Sequence, residues 1–353
     1  MTGTQSESSP EILKFQFNEQ QARLLDLGSR QTAAIGGPDV AGAAAMSVRH
    51  AKVLKHSMDT QQLDMLETFS YGKTAAIEFG AMQPPSCDPA PELLATMETI
   101  VADPITIYLA SRNQILLNLV GYRSFSFDID NDGMQVRLVG NFKGGGKNLL
   151  PHELKHHEAE LSSHAGVELG PHTEPPYNCS IESDGEHSPA PSALILTARW
   201  NPLQEPTRLI PVRSVVAQLT GIEALALSSK SFCFTRSDCF VKDGSGEMVK
   251  NSILQFDPRG EFCLRYSSYR YSLHDEASQS TRLAYHSLQR LLNEAKSFDF
   301  QLHPGSALLI NNCQTLHARE IVKDNRRLLI RLFGYSADAQ PLILQQDPLV
   351  VRG

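Results

Sequence analysis

The sequence predicts a mainly β barrel or sandwich with helices packed against its outside. Three observations carry that expectation. From Tyr122 onward the chain breaks into short apolar runs of strand character. One helical face, Ala284, Leu288, Leu291, Leu292 and Ala295 within Arg282 to Lys296, interrupts them. Strand-like runs then return at Ala307 to Ile310 and Leu328 to Tyr335. Strands on either side of a helical insertion fit a β core with helices on its flanks.

Taken in order, Met1 to Pro10 is polar and Ser-rich and reads as a frayed tail without the apolar stretch of a secretory leader. The first 120 residues look mainly helical. Asp88-Pro89 suits a helix N-cap and first turn, followed by Leu93, Met97, Ile100 and Val101 at helical spacing. Ser124 to Leu138 alternates, turns at Asn131-Asp132-Gly133 and alternates again, which predicts a hairpin. The Pro-, Ser- and Gly-rich stretch Pro175 to Ser192 is irregular, either a lid or a surface insertion. Ala193 to Leu196 and Leu209 to Val212 read as strands. Linkers are short, so a single domain over 1–353 is expected, with residues 121–353 forming the core and a helical insertion at about 213–297.

Composition narrows the function. A net charge of −7 argues against a nucleic-acid surface, so local basic groups are better read as serving a small anionic ligand. No apolar run reaches the length of a membrane span. The six cysteines, Cys87, Cys179, Cys233, Cys239, Cys263 and Cys313, form no CxxC pair and read as reduced thiols of a cytoplasmic protein.

Two motifs are decoys. Asp128-Ile-Asp130-Asn-Asp132-Gly133 opens like an EF-hand loop, but Val139 stands where the bidentate Glu is needed, so it reads as a solvated hairpin tip. Gly144-Gly145-Gly146-Lys147 lacks the spacing and the following hydroxyl of a phosphate loop and reads as a flexible turn.

The His-x-Glu pattern occurs at His156/Glu158, His172/Glu174 and His274/Glu276, so the tripeptide alone decides nothing. The first lies in the polar run Pro151 to Glu160, and the third precedes a helix beside Asp275 and Ser278. His172-Thr173-Glu174 instead follows the apolar Val167 to Leu169. A strand there turns residues i and i+2 to one side, with Thr173 facing away. A two-His, one-carboxylate iron(II) site needs a distant second His. His317 is the best candidate, at the end of an apolar run that begins after Pro304-Gly305. Fourteen residues later Arg331 sits within Leu329 to Phe333, where a guanidinium calls for an anionic partner. A dicarboxylate could supply it through paired hydrogen bonds, and a structural Asp or Glu could as well.

These segments resemble the clavaminate synthase-like and taurine dioxygenase-like iron(II)/2-oxoglutarate oxygenases, and most closely their amino-acid hydroxylase branch. The likeness rests on Ser162 to Glu174 and on Pro304 through Arg331, and extends loosely from Gly121 to Tyr335. It implies a distorted double-stranded β-helix, or jelly roll, with iron held by His172, Glu174 and His317. It also implies that Arg331, with Thr207 as a candidate helper, binds the distal carboxylate of 2-oxoglutarate; Thr207 reads equally as an ordinary strand-edge residue. The implied reaction uses O2 to hydroxylate an unactivated C–H bond of a small molecule, an amino acid or a derivative. Desaturation or cyclisation by the same cofactors, a non-catalytic binding protein and a zinc hydrolase stand as alternatives. Retention of Glu174 argues against halogenation, because related halogenases carry a small residue there. Family members that take cationic substrates have two aspartates after the counterpart of Leu264-Arg265-Tyr266, whereas this chain reads Ser267-Ser268-Tyr269-Arg270. The expected substrate is therefore neutral or anionic, with Ser163, Tyr177 and Arg270 as candidate contacts. Arg270 reads more readily as a solvated strand residue.

Overall fold

The computed structural model describes residues 11–85, 88–147, 163–176, 182–235, 249–257 and 260–353. Its centre is the strand Ala193–Trp200, which is apolar at consecutive positions rather than alternate ones. Ala193 and Ile195 enter one core cluster with Leu109, Ile115 and Leu309, while Leu194 and Leu196 enter another with Phe125, Leu209 and Leu308. A strand covered on both faces needs apolar side chains on both, which removes the period-two signal.

This strand pairs antiparallel with Ala307–Asn311 on one side and Leu328–Tyr335 on the other. Ala76–Gly80 and then Ile12–Gln16 extend the sheet beyond Ala307–Asn311, while Leu349–Val351 and Ile343–Gln346 extend its other end. A second, four-stranded sheet runs in the order Phe298–Phe300, Thr207–Pro211, Thr315–Arg319, Leu169–His172. Leu209 and Phe300 of this smaller sheet share a core cluster with Phe125, Leu194 and Ile310 of the larger one. The fold is thus sheet-rich and mixed, with helices covering the outer faces.

The outer face of the large sheet is closed by helices Glu19–Ala34, Ala43–Lys55, Thr60–Ser70 and Pro104–Leu119. Asn18 with Gln21, and Asp59 with Gln62, form capping boxes at two of their starts. Asp103 caps the helix that opens on Pro104. That helix is buried almost all round, so it shows no amphipathic stripe. Its Arg112 is fully buried and donates to the Pro304 carbonyl at 2.6 Å and to Thr197 Oγ1 at 2.9 Å. Helix Gln279–Glu294 packs Ala284, Leu288, Leu291 and Leu292 inward, starting at its Ser278 cap.

Several expectations need correction. The segment around Ser124 to Leu138 is not a hairpin. Arg123–Phe127 and Arg137–Gly140 both pair antiparallel with Leu328–Tyr335, so they run the same way, end to end. Alternation on both sides of a turn signal is equally the mark of one strand interrupted by an excursion. The tip is not wholly solvated either, because Asp130 is buried and ion-paired to Arg137. No helix begins at Asp88-Pro89; it starts at Met97, capped by Thr96. The first 120 residues also contribute the two strands Ile12–Gln16 and Ala76–Gly80 to the large sheet. The stretch 213–297 holds short strands as well as helices. Among the described residues no helix is long and apolar enough to cross a membrane.

The Gly144–Lys147 turn is packed rather than loose. Gly144 and Gly145 have φ of 88° and 104°, and Lys147 N donates to the Val322 carbonyl at 2.8 Å. Facing it, Gly166 N donates to Asn141 Oδ1 at 2.8 Å. A Cβ on Gly166 would lie 2.7 Å from Asn141 Cγ and 2.8 Å from the main-chain N of Gly146. Gly166→Ala is therefore expected to cost about 1–3 kcal/mol, since the backbone has little room to yield. Denaturant unfolding checks this, and a stability equal to the parent's would show that the turn can move aside.

Candidate metal centre

The smaller sheet brings two distant segments together. His172 ends the strand Leu169–His172 and lies directly opposite His317 in Thr315–Arg319. Their rings are 4.2 Å apart between centroids. Glu174 follows two residues later, just beyond the strand, and its Oε1 is 3.4 Å from His317 Nε2. One ligand atom from each of the three lies within 4.8 Å of the others, and all three residues are buried. Among the described residues no other group of His, Cys, Asp and Glu is so arranged. Thr173, between the ligands, turns toward Tyr266, to whose carbonyl its N–H donates at 2.8 Å.

The donor set suits a divalent ion. His172 Nδ1 lies 2.7 Å from the Gly170 carbonyl, which places the proton there and leaves Nε2 as the lone-pair nitrogen. Burial, and then the neighbouring His317, push the His172 imidazole down to about 3, so the ring is neutral at ordinary pH. Burial alone would raise the Glu174 carboxyl, but the Arg331 guanidinium and His317 override it and hold it well below the usual carboxylate range. Two imidazoles and one carboxylate are a donor set that suits an iron(II) or zinc ion. Asn312 supports the carboxylate's backbone: its Oδ1 accepts the Glu174 N–H at 2.7 Å, and its Nδ2 donates to the Pro191 carbonyl at 2.9 Å. Arg265, fully buried, steadies Asn312 in turn by donating to its carbonyl at 3.1 Å.

A cavity of about 110 Å³ opens beside the three ligands. Arg327, Leu329, Arg331 and Phe333 line it from one chain segment, every second residue, as a strand face requires. Arg331 Nη1 donates to Glu174 Oε1 at 2.8 Å, and its Nη2 is 3.7 Å from Asp130 Oδ2. Arg327 lies at the other side, where its Nη2 donates to Thr207 Oγ1 at 3.3 Å. Arg319 donates to the carbonyls of Ala165 at 2.6 Å and Val167 at 3.0 Å. Nε and Nη1 of both Arg319 and Arg327 are buried without a hydrogen-bond partner among the described residues, as is Nε of Arg331. Burial pushes Arg327 down to about 10, and burial together with Arg327 does the same to Arg319. Both stay cationic at neutral pH.

The other expected contacts fall as follows. Ser163 lines the cavity and its Oγ accepts from Arg137 Nε at 2.8 Å. Arg270 lines it too, its guanidinium 5.6 Å from the centroid of the Tyr269 ring, and Tyr269 meets His172 edge-on. Tyr177 lies outside the described residues, as do His156 and Glu158. His274 and the exposed Glu276 stay at the surface. Sequence reasoning missed Arg327, Arg319, Arg137 and Asn312. For Arg327 the signal was present: it precedes Arg331 by four residues, in phase with it on a strand, but Lys323 to Arg327 resembles a solvated loop.

Comparison with known proteins follows the same lines. Residues 238–333 match the family model "Taurine catabolism dioxygenase TauD, TfdA family". No curated protein matches by sequence. Asparagine oxygenase, solved with Fe(II), 2S,3S-3-hydroxyasparagine and succinate, superposes with a TM-score of 0.66 at 18% identity, covering 96% of this chain and 99% of its own. The non-haem iron oxygenase OrfP, solved with Fe, succinate and (3S)-hydroxy-L-Arg, gives 0.66 at 17% identity over 93% and 94% of the two chains. OrfP with Fe and alpha-ketoglutaric acid gives 0.62 at 18% identity, covering 91% and 93%. Across residues 238–333 the chain thus matches the TauD, TfdA dioxygenase family, within a fold that it shares almost from end to end with asparagine oxygenase and OrfP.

Proposed function

We propose that the protein is an iron(II)- and 2-oxoglutarate-dependent dioxygenase, a single jelly-roll domain that hydroxylates a C–H bond of a small amino-acid-derived acid. The observation that carries this reading is the three buried ligand atoms facing a cavity rich in buried, incompletely bonded guanidinium groups. A zinc hydrolase would use the same three ligands but gives those arginines no task. The fold likeness to oxygenases solved with iron and alpha-ketoglutaric acid supports the same choice.

In this reading His172, Glu174 and His317 hold the metal. When bound, iron(II) with 2-oxoglutarate and O2 supplies the oxidation, yielding succinate, carbon dioxide and the hydroxylated product. The protein's own part is to bind, orient and exclude water. For the distal carboxylate of 2-oxoglutarate, Arg327 with Thr207 fits better than Arg331. Arg327 has two orphaned nitrogens beside a hydroxyl that can turn to donate, whereas Arg331 already spends a nitrogen on Glu174. Leaving such nitrogens unpaired is costly, and a carboxylate removes that cost with charge-assisted bonds. Arg331, between Glu174 and Asp130, then faces the substrate side. Arg137, Arg270, Arg319, Arg327 and Arg331 outnumber Asp130 and Glu174 in the cavity wall, so the substrate is anionic.

The primary test is anaerobic addition of iron(II) and 2-oxoglutarate, watching for the weak visible metal-to-ligand band, followed by a screen of acidic metabolites for stimulated succinate release. Band and succinate together are expected; absence of the band at saturating reagents contradicts the reading. Arg327→Leu should raise the 2-oxoglutarate KM by about 10-fold or more, the worth of a charged hydrogen bond. If Arg331→Leu carries that effect instead, the two arginines exchange roles. Asn312→Ala, which frees the Glu174 backbone, should weaken iron(II) affinity by about 10–100-fold in a chelator competition, as loss of a ligand-orienting partner does. Unchanged affinity would show that Glu174 is held without it.

A further inference from the structure

The reaction cavity adjoins a second cavity. Asp130, Arg137 and Arg270 stand in its wall and also in the wall of a second, larger cavity of about 680 Å³. That second space lies between residues 36–40, the helix Met97–Val101 and the excursion 128–136 that separates the strands Arg123–Phe127 and Arg137–Gly140. Its lining is largely apolar, with Val40, Met97, Val101, Ile129 and Met134 turned toward one void. Val40 and Met134 are each 40% exposed. Single exposed apolar residues are ordinary, but a group of them around a concavity that shares a wall with a reaction site marks a ligand surface. The Asp39 carboxylate accepts main-chain N–H bonds from Gln135 and, at 3.3 Å, from Val136, which ties the two opposite walls together. The polar part of its lining is mixed, with Arg137, Lys143 and Arg270 set against Asp39, Glu98, Asp130 and Asp132, and Arg137 and Arg270 also face the reaction cavity.

Resting on the oxygenase reading above, we propose that the substrate is an amphipathic acid longer than a free amino acid. Its acidic head lies among Arg331, Arg137 and Arg270, and an acyl or alkyl tail occupies the apolar cavity beyond them. The interrupted strand then has a purpose: the excursion 128–136 supplies Asp130 to the head end and Ile129 and Met134 to the tail end within a few residues. The tail would fix which carbon faces the metal, because an anchored head and an anchored tail together leave little freedom to slide.

The test uses N-acylglycines from acetyl through butanoyl and hexanoyl to octanoyl, titrated by calorimetry into the full-length protein under nitrogen, with iron(II) and 2-oxoglutarate present. Burying a methylene is worth up to about fourfold in affinity. The octanoyl member should therefore bind at least about 10-fold more tightly than the acetyl member, and V40D/M134D should flatten that gradient. Equal affinity along the series, or a gradient that V40D/M134D leaves intact, overturns the proposal. The visible band of the iron and 2-oxoglutarate complex is read in the same samples. Its absence would contradict the oxygenase reading, while the chain-length gradient decides the tail cavity independently.

Discussion

Everything at the centre depends on one strand register. The antiparallel pairing that sets His172 opposite His317 brings together residues 145 positions apart in the chain, and Glu174 joins them only because the strand ends two residues earlier. A slip of one residue between the two strands would put the imidazoles on opposite faces of the small sheet. The register is fixed from both sides of the strand that carries His317. Leu209, its partner on the neighbouring strand, is wedged between the two sheets, while Leu316 and Ile210 point into the other core with helix Gln279–Glu294. Core packing therefore sets the geometry of the proposed metal ligands.

That geometry creates an electrostatic debt. Glu174 is ionised in a buried place because Arg331 and two imidazoles surround it, and Arg331 is itself shared between Glu174 and Asp130. Asp130 is shared again with Arg137, whose Nε holds Ser163. The chain of alternating charges leads from the ligands outward to the second cavity. On the opposite side Arg319 and Arg327 have no such acidic neighbour in hydrogen-bond contact among the described residues, and buried guanidinium groups in that state are costly unless an anion completes them. The asymmetry separates one end of the cavity, suited to a dicarboxylate cosubstrate, from the other, suited to an acidic substrate head.

The cluster of His172, Glu174 and His317 was legible because its residues are rare in combination: His-x-Glu after an apolar run, a second His ending another, and an arginine in an apolar strand. The long strands were legible for a similar reason, since Ala307 to Ile310 is continuously apolar and Leu328 to Tyr335 is so apart from Arg331. Arg327 was hidden by its flanking charges, and Asn312 by being one amide among many, with nothing local to show that it reaches Glu174. The supposed hairpin failed because period-two patterning says which face a residue occupies and nothing about which strand it pairs with. Both halves of that segment found the same partner, Leu328–Tyr335, and the turn residues Asn131 and Asp132 became wall of the second cavity, next to Asp130, which lines both.

The most direct test of the central claim is an anaerobic crystal structure with manganese(II) in place of iron and 2-oxoglutarate added, read by anomalous scattering. The account predicts one strong peak within bonding distance of His172 Nε2, the Glu174 carboxylate and His317 Nε2. A metal bound elsewhere, or bound at this place without the imidazole of His317, would contradict it.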